Sequence, residues 1–391
     1  MAFTLTEAAA SLVLAFWLWA AWMCWRGQKR LPYLAPAEGS PGSHATLSVI
    51  IPCRNEADAL PRSVPSLIDQ TYPNLEVILL DDRSTDGTGQ VLQSLAQTCS
   101  RLRTIQIRTL PEGWLGKTHA LWIGSQQARG SWLLFTDADV IFHPQCVEAA
   151  VTHAETHQLD HLVVIPRVET VGFWETILVS CFGLLFDLAL RPWQVSNPRS
   201  SAHIGIGAFN LIRHSAYLAI GTHRALANAI VDDLELGRRV KQAGLRQAAV
   251  RAGDLLRVRW QVGLSGVVSG LEKNAFAGVG FSLLLASATC IALAGLGILP
   301  FVGAMVGPAR GLWAAAALTV SALQAAHSRN AGLPAWSGPF HPLATAVLIY
   351  AVARSTFMAL HRGSVVWRGT SYPLTSLRRP PPVLETARTK H

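Results

Sequence analysis

Residues 131–142 read SWLLFTDADVIF, with Asp137 and Asp139 one residue apart directly after the apolar run Trp132-Leu133-Leu134-Phe135. Two carboxylates this close repel one another, and partial burial adds several kcal/mol per ion unless something compensates. A hard divalent cation would compensate; so would an exposed turn, in which case the pair carries no chemistry. Two further stretches bear on the choice. LSVII runs straight into Pro52-Cys53-Arg54-Asn55-Glu56, and EVILL into Asp81-Asp82-Arg83-Ser84-Thr85-Asp86-Gly87-Thr88. DDRSTDGT alone could be an Asx-rich turn with a helix cap. Three strand ends that all deliver acidic or polar groups are a different matter. Acceptor groups gathered at one sheet edge suit ribose hydroxyls, a base N–H and a divalent metal. Mg²⁺ or Mn²⁺ takes one or two carboxylates plus ligand phosphates rather than a full protein cage. A fourth acidic group, Val231-Asp232-Asp233, opens a segment of helical character, where acidic residues also complement the helix dipole.

These groups need a frame to hold them. From Leu47 onward, short β runs alternate with helical periodicity. The strands expected are LSVII, EVILL (76–80), TIQI (104–107), WLLF (132–135) and LVVI (162–165), while Leu60, Val64, Leu67 and Ile68 recur at helical spacing. Strand and helix in alternation imply an α/β fold with a mostly parallel sheet covered on both faces. Such sheets bind ligands beyond the C-terminal ends of their strands.

The flanks have another character. Of the 391 residues, 50% are hydrophobic and 15% charged, and the mean hydropathy is +0.29. That combination suggests a membrane protein with a soluble portion. Ala8–Trp25 carries no charge, and roughly 18 residues of helix reach about 27 Å, the thickness of the hydrocarbon layer. Arg26, Lys29 and Arg30 follow it and no Lys or Arg precedes it, which places its C-terminal end in the cytoplasm. Residues 1–30 therefore read as an anchor and 31–45, rich in Pro, Gly, Ser and Ala, as a linker. Past about residue 275 the chain turns apolar again. Phe281–Val306 and Pro342–Leu360 could each span; Leu312–Ala326 is Ala-rich and short. Three spans would put the tail outside, whereas Arg362, Arg368, Arg378 and Arg379 favour the inside. The conflict resolves if one segment, the Ala-rich one, does not cross. Residues 171–190 are apolar but broken by Glu175 and Asp187, which fits a helix lying in the interface. The net charge of +9 comes from scattered Lys and Arg concentrated beside the apolar segments, which suits lipid headgroups and argues against nucleic acid. The six cysteines have no CxxC or framework spacing and read as free thiols in a reducing compartment.

SVIIPCRNEADALPRSVPSLIDQTYPNLEVILLDDRSTDGT, then FTDAD, then VDDLELGRRVKQAGLR closely resembles the family 2 glycosyltransferases over residues 45–262. PEGWLGKTHAL (111–121) and VVWRGTSY (365–372) resemble their membrane-bound members acting on lipids, among them ceramide, hopanoid-associated and carotenoid glycosyltransferases. The resemblance implies a GT-A domain over residues 46–262, followed by a membrane region and basic tail over 263–391. It implies inverting transfer from a nucleotide sugar, with uridine as the expected nucleoside of the donor, to a lipid hydroxyl at the membrane. By position, Pro52, Arg54 and Glu56 would line the nucleoside pocket, with Asp82 on the uracil or ribose and Lys117 near the nucleotide. Asp137 and Asp139 match the DxD motif that holds Mg²⁺ or Mn²⁺ and the diphosphate, Asp139 most directly. Asp233 matches the catalytic base, and Asp232 stands where the family commonly has Glu. An inverting transfer needs such a base to take the acceptor's proton and a cation to stabilise the leaving diphosphate. Arg259-Trp260 matches the end of a (Gln/Arg)xxRW motif, but Leu256 occupies its first position, which weakens the alternative of a processive polysaccharide synthase. Arg259 and Trp260 are still expected to close over nucleotide or acceptor, although Trp260 reads equally as an interface aromatic. The interface helix and residues 265–280 would frame the acceptor's approach. A silent scaffold that keeps the fold is a third reading, disfavoured by the intact acidic set. His153, His157 and His161 recur every four residues, yet Ala154 follows the first where a zincin needs Glu, so a solvated helix face is expected. Gly205-Ile206-Gly207 lacks a third glycine and reads as an acceptor-side loop rather than a dinucleotide fingerprint.

Overall fold

A computed structural model describes residues 5–36 and 45–378; most of the expected linker (37–44) and Arg379 of the basic tail lie outside the described residues. The described residues divide into two compact units, one formed by residues 31–36, 45–167, 194–258 and 375–378, the other by 5–30, 168–193 and 259–374.

The first unit is an α/β domain around seven strands: β1 Leu47–Cys53, β2 Leu75–Asp82, β3 Leu102–Ile107, β4 Trp132–Phe135, β5 His161–Ile165, β6 Asn210–Arg213 and β7 Gln247–Arg251. Their order in the sheet is β3-β2-β1-β4-β6-β5-β7. The five strands read from the sequence are present as β1 to β5. Val49 stands between Val77 of β2 and Leu134 of β4 in parallel register. Leu47, Val49, Ile50, Ile78, Leu79, Leu133 and Leu134 are all buried, as strands covered on both faces must be. β6, antiparallel to β4 and β5, was not anticipated: Asn210-Leu211-Ile212-Arg213 is too short to show a period. The helix Gly116–Gln127 lies on β1 and β2. At Gly124 a Cβ would come 2.5 Å from Ile50 Cγ2, so the missing side chain sets how closely helix and sheet approach. Leu31 and Leu34, at the start of the expected linker, are buried, and Leu34 N–H donates to the Arg251 carbonyl of β7 at 2.8 Å.

The second unit is helical. It contains Leu5–Gln28, Gly172–Leu190, Gly263–Gly278, Leu283–Leu293, Leu299–Val306, Arg310–Asn330 and His341–Arg362, then a hairpin of Ser364–Trp367 with Thr370–Pro373. Residues 294–298 form a π-helical turn that joins two of these helices into one apolar segment. By length and composition four segments could cross a membrane: Leu5–Gln28, Gly172–Gln194, Leu283–Val306 and Ala335–Arg362. The two charges that interrupt residues 171–190 are both buried with partners. Glu175 accepts from Arg259 at 2.7 and 3.1 Å and from the Gly263 N–H at 2.7 Å, while Asp187 meets His327 at 3.0 Å and Gln28 at 3.2 Å. A charge in apolar surroundings persists only when so paired. All six cysteines are free.

Candidate functional site

The sheet order reverses direction between β1 and β4. A parallel sheet opens a crevice at such a point, beyond the C-terminal ends of the two strands. The chain places Arg54 and Glu56 after β1, Asp82 at the end of β2, and Asp137 and Asp139 after β4. The three acidic strand ends are therefore neighbours in space, and Pro52 sits within β1 opposite Leu80.

The loops after β1 and β2 are tied to each other. Asn55, in left-handed conformation (φ 55°), accepts from Thr85 N–H at 2.8 Å and its own N–H donates to Ser84 Oγ at 3.1 Å. Glu56 N–H donates to the buried Thr88 hydroxyl at 2.8 Å. Within DDRSTDGT the acids divide their work. Asp81 caps the turn through Ser84 N–H (3.1 Å), and Asp86 accepts from Thr88 N–H (2.9 Å). That much is the Asx-turn and cap reading. Asp82 does something else: buried, it takes a two-pronged bond from Arg83 (2.7 and 3.0 Å) and lies 3.7 Å from Arg54. Gly116 passes so near that a Cβ would stand 2.3 Å from Asp82 Oδ2. Glycine in WLGK is thus a packing requirement of the acidic strand end.

Lys117 is the cation inside the acidic set. Its Nζ lies 2.7 Å from Asp137 and 3.9 Å from the buried Asp232. Burial alone would lower its pKa; the carboxylates of Asp137, Asp232 and Asp233 outweigh that and raise it, so the ammonium stays charged. Asp139 has no such partner. Its carboxyl reaches solvent but is hemmed in by protein, and lost hydration, together with Asp137 and Glu56, pushes its pKa up to about 7. A carboxyl in that position gains from a cation arriving beside it. Among the described residues no three His, Cys, Asp or Glu side chains form a cage for a metal. Asp137 and Asp139 suit an Mg²⁺ or Mn²⁺ ion that completes its shell with a ligand's phosphates. Replacing Lys117 by methionine is expected to destabilise the folded protein by about 3 kcal/mol, because Asp137 and Asp232 would be left crowded without a counter-charge. Chemical denaturation monitored by circular dichroism measures it; an unchanged midpoint would refute the counter-charge role.

Asp233 begins the helix Asp232–Gln242 with Asp232. Its Oδ2 accepts from Gly207 N–H at 2.7 Å and its Oδ1 from Leu234 N–H at 2.8 Å. Burial pushes its pKa up, an effect that Lys117 opposes. The Gly207 carbonyl in turn accepts from Asp137 N–H at 3.0 Å. One residue therefore couples the pair after β4 to the head of this helix. A small pocket is lined by Lys117, Asp137, Gly207, His223, Asp232 and Asp233.

Three features of the site escaped the sequence. Gly205 abuts the head of the helix, where a Cβ would fall 1.7 Å from the Asp233 carbonyl oxygen. Gly237, one turn along, meets the Ile204 carbonyl at 1.9 Å in the same sense. The spacing of GIG had raised the stretch to notice, but the partner of each glycine lies about 30 residues away and leaves no local signal. The third is buried His223, bonded to the Tyr217 hydroxyl at 2.9 Å and pushed down to about 3 by burial, hence neutral. Arg259 and Trp260 fall in the helical unit, where Arg259 holds Glu175 and Trp260 stacks on Phe182 with ring centroids 4.5 Å apart. His153 and His157 stack on one another at 4.2 Å, while His161 is buried in β5 between Asn210 and Gln247. The three do not converge.

Residues 48–221 match the family described as Glycosyl transferase family 2. The 4,4'-diaponeurosporenoate glycosyltransferase of Staphylococcus aureus (strain USA300) is 27% identical over 244 residues, 61% of this chain and 63% of that protein. Its counterpart from Staphylococcus haemolyticus (strain JCSC1435) is 24% identical over 231 residues, 59% and 60% of the two chains. The chain thus matches about three fifths of the length of these relatives. Among solved structures, the mannosyltransferase PcManGT from Pyrobaculum calidifontis, in complex with GDP-Man and Mn2+, superposes with a TM-score of 0.61 at 20% identity. That likeness covers 90% of this chain and 99% of the other.

Proposed function

We propose that the protein, whose residues 48–221 match the family 2 glycosyltransferases and whose fold is that of a GT-A domain, transfers a sugar from a nucleotide diphosphate donor to a lipid hydroxyl at the membrane, with inversion at the anomeric carbon. The observation that carries this reading is the peptide of Gly207, bonded on one side to Asp137 and on the other to the Asp233 carboxylate. It sets a group suited to a metal-bound diphosphate beside a carboxylate suited to proton abstraction, the two demands of the reaction.

In this proposal Pro52, Arg54 and Glu56 border the nucleoside, and Asp82, held in place by Arg83, faces its base or ribose. Asp137 and Asp139 would hold Mg²⁺ or Mn²⁺, whose charge when bound stabilises the departing diphosphate. Lys117 keeps Asp137 and Asp232 from repelling each other. Asp233, oriented by Gly207 N–H, accepts the proton of the attacking hydroxyl as it bonds to the anomeric carbon. Its raised pKa makes it a stronger base than an ordinary aspartate. Uridine is the favoured base, and the mannosyltransferase neighbour binds a guanosine sugar, so both belong in the test. The apolar helices and the 4,4'-diaponeurosporenoate named for the relatives support a lipid acceptor and a membrane-bound protein, and Arg26, Lys29 and Arg30 after the first apolar helix favour a catalytic domain in the cytoplasm.

The test uses the full chain purified in detergent, with a panel of uridine and guanosine nucleotide sugars, a membrane lipid extract, and either Mg²⁺, Mn²⁺ or EDTA. Mass spectrometry is expected to find a lipid enlarged by one sugar, formed with metal and lost with EDTA. Chains of several sugars would favour a processive synthase, and no product from any donor would sink the proposal.

A further inference from the structure

The segment Ala335–Arg362 is apolar enough to cross a membrane, yet its surroundings tie both ends to one side. Upstream of it, Arg310–Asn330 runs alongside Leu5–Gln28 in the same direction. Val320 and Leu323 cluster with Trp17, Ala20 and Cys24, and Asn330 donates to Gln28 at 3.3 Å. Leu283–Val306 runs the opposite way between them: the Leu296 carbonyl accepts from Trp17 Nε1 at 2.9 Å, and Gly303 lies against Trp313. Arg310–Asn330 is less apolar than the four segments named above, but its polar Gln324 and His327 are buried against His341 and Asp187, and at 21 residues and about 31 Å it is long enough to cross. Three crossings bring the chain back at Asn330 to the end of the first helix, from which it leaves at Leu31 for the catalytic unit.

Downstream, Arg362 is followed by the hairpin, and the chain rejoins the catalytic unit at Thr375, where the Ser376 carbonyl accepts from Asn228 at 3.1 Å. The helix between these ends does not travel across. Gly297, midway along the second crossing, packs on His341 and Thr345; the Cys290 thiol reaches the Ile349 carbonyl at 4.0 Å; and Phe276 N–H donates to Ser355 Oγ at 3.1 Å. As the helix advances, its partners therefore step back from residue 297 to residue 276, toward the end where that crossing begins.

Its outward side has two parts. Leu343, Tyr350 and Phe357 recur every seven residues on one exposed face, with Leu360 beside them. Next to that face, Arg354 and Arg362 share the single carboxylate of Glu272, at 3.0 and 3.4 Å, and Lys273 sits 3.8 Å over the Trp367 ring. Three cations are thus gathered beside an apolar face, the composition of a helix that lies in a negatively charged leaflet.

We propose that His341–Arg362 does not cross the membrane. It slants within the leaflet on the catalytic side, from the level of Gly297 at its start toward the headgroups at its end, with Leu343, Tyr350 and Phe357 among the acyl chains and Arg354, Arg362 and Lys273 on the headgroups of anionic phospholipids. This also settles the parity of the basic tail: the Ala-rich helix crosses and the last long helix does not.

Two measurements test it without calling on enzymatic activity. The full chain, carrying Ser371→Cys or Pro308→Cys, is reconstituted in vesicles and labelled with a membrane-impermeant maleimide before and after permeabilisation, with labelling read peptide by peptide. Cys99 of the catalytic unit reports its own side. Ser371→Cys should show the same protected fraction as Cys99, and Pro308→Cys the complementary one. A Ser371→Cys that follows Pro308→Cys would mean that the helix crosses, overturning the placement. Second, native mass spectrometry of the detergent-purified protein compares retained phosphatidylglycerol and phosphatidylcholine. The Lys273→Gln, Arg362→Gln double variant should lose phosphatidylglycerol retention on the order of twentyfold, with phosphatidylcholine unaffected. Inorganic phosphate should fail to displace the lipid. Equal phosphatidylglycerol retention in both proteins, or displacement by phosphate, would overturn the headgroup docking.

Discussion

Asp233→Asn is expected to reduce sugar transfer by about 10² to 10⁴-fold while donor affinity changes little. Asparagine fills the same space and its one side-chain oxygen still accepts from Gly207 N–H, which holds the loop, while the bond from Leu234 N–H at the helix head is given up. What disappears is the basic electron pair that, in the proposed mechanism, takes the acceptor's proton. Burial holds the Asp233 carboxyl above the ordinary aspartate range, so the ground-state cost of the charge is already built into the fold and is recovered as proton affinity. Isothermal titration with the nucleotide sugar, beside single-turnover transfer, separates the two roles. Full transfer by the variant would remove Asp233 as base; lost donor binding would make it a binding residue instead.

The second large effect is expected from one methyl group. Gly205→Ala places a Cβ 1.7 Å from the Asp233 carbonyl oxygen, with the Asp233 carbonyl carbon at 2.3 Å and Leu234 N at 2.9 Å. None of these is the movable tip of a side chain. Backbone must shift, and the backbone that shifts carries both Asp233 and, two residues along the loop, the Gly207 N–H that orients it. We expect a stability loss of about 3 kcal/mol and transfer reduced about a hundredfold even in the folded fraction. Thermal unfolding of the purified protein and transfer assayed well below its midpoint measure the two. An alanine variant that unfolds and transfers like the parent would show that the close approach of loop and helix is immaterial.

The acidic set was legible in the sequence because it is written locally. Each member follows an unbroken apolar run, and a strand ends where the run does, so Glu56, Asp82, Asp137 and Asp139 could be assigned to one sheet edge from order alone. Asp233 was legible as a helix head. The expected linker was less so: Leu31 and Leu34 look like ordinary loop residues until β7 is seen beside them.

The sequence by itself determined the α/β domain between apolar flanks and the carboxylates at the strand ends, since those depend on local periodicity and residue type. Tertiary structure alone decided who partners whom. Lys117 as counter-ion to both Asp137 and Asp232, the glycines that let the loop at 204–207 approach the head of the Asp233 helix, the engagement of Arg259 by Glu175, and the packing of His341–Arg362 on Phe276 and Gly297 each join residues far apart in the chain. Charge pairing and close packing act through space at a few ångströms, and no period in the sequence records which distant segment will supply the partner.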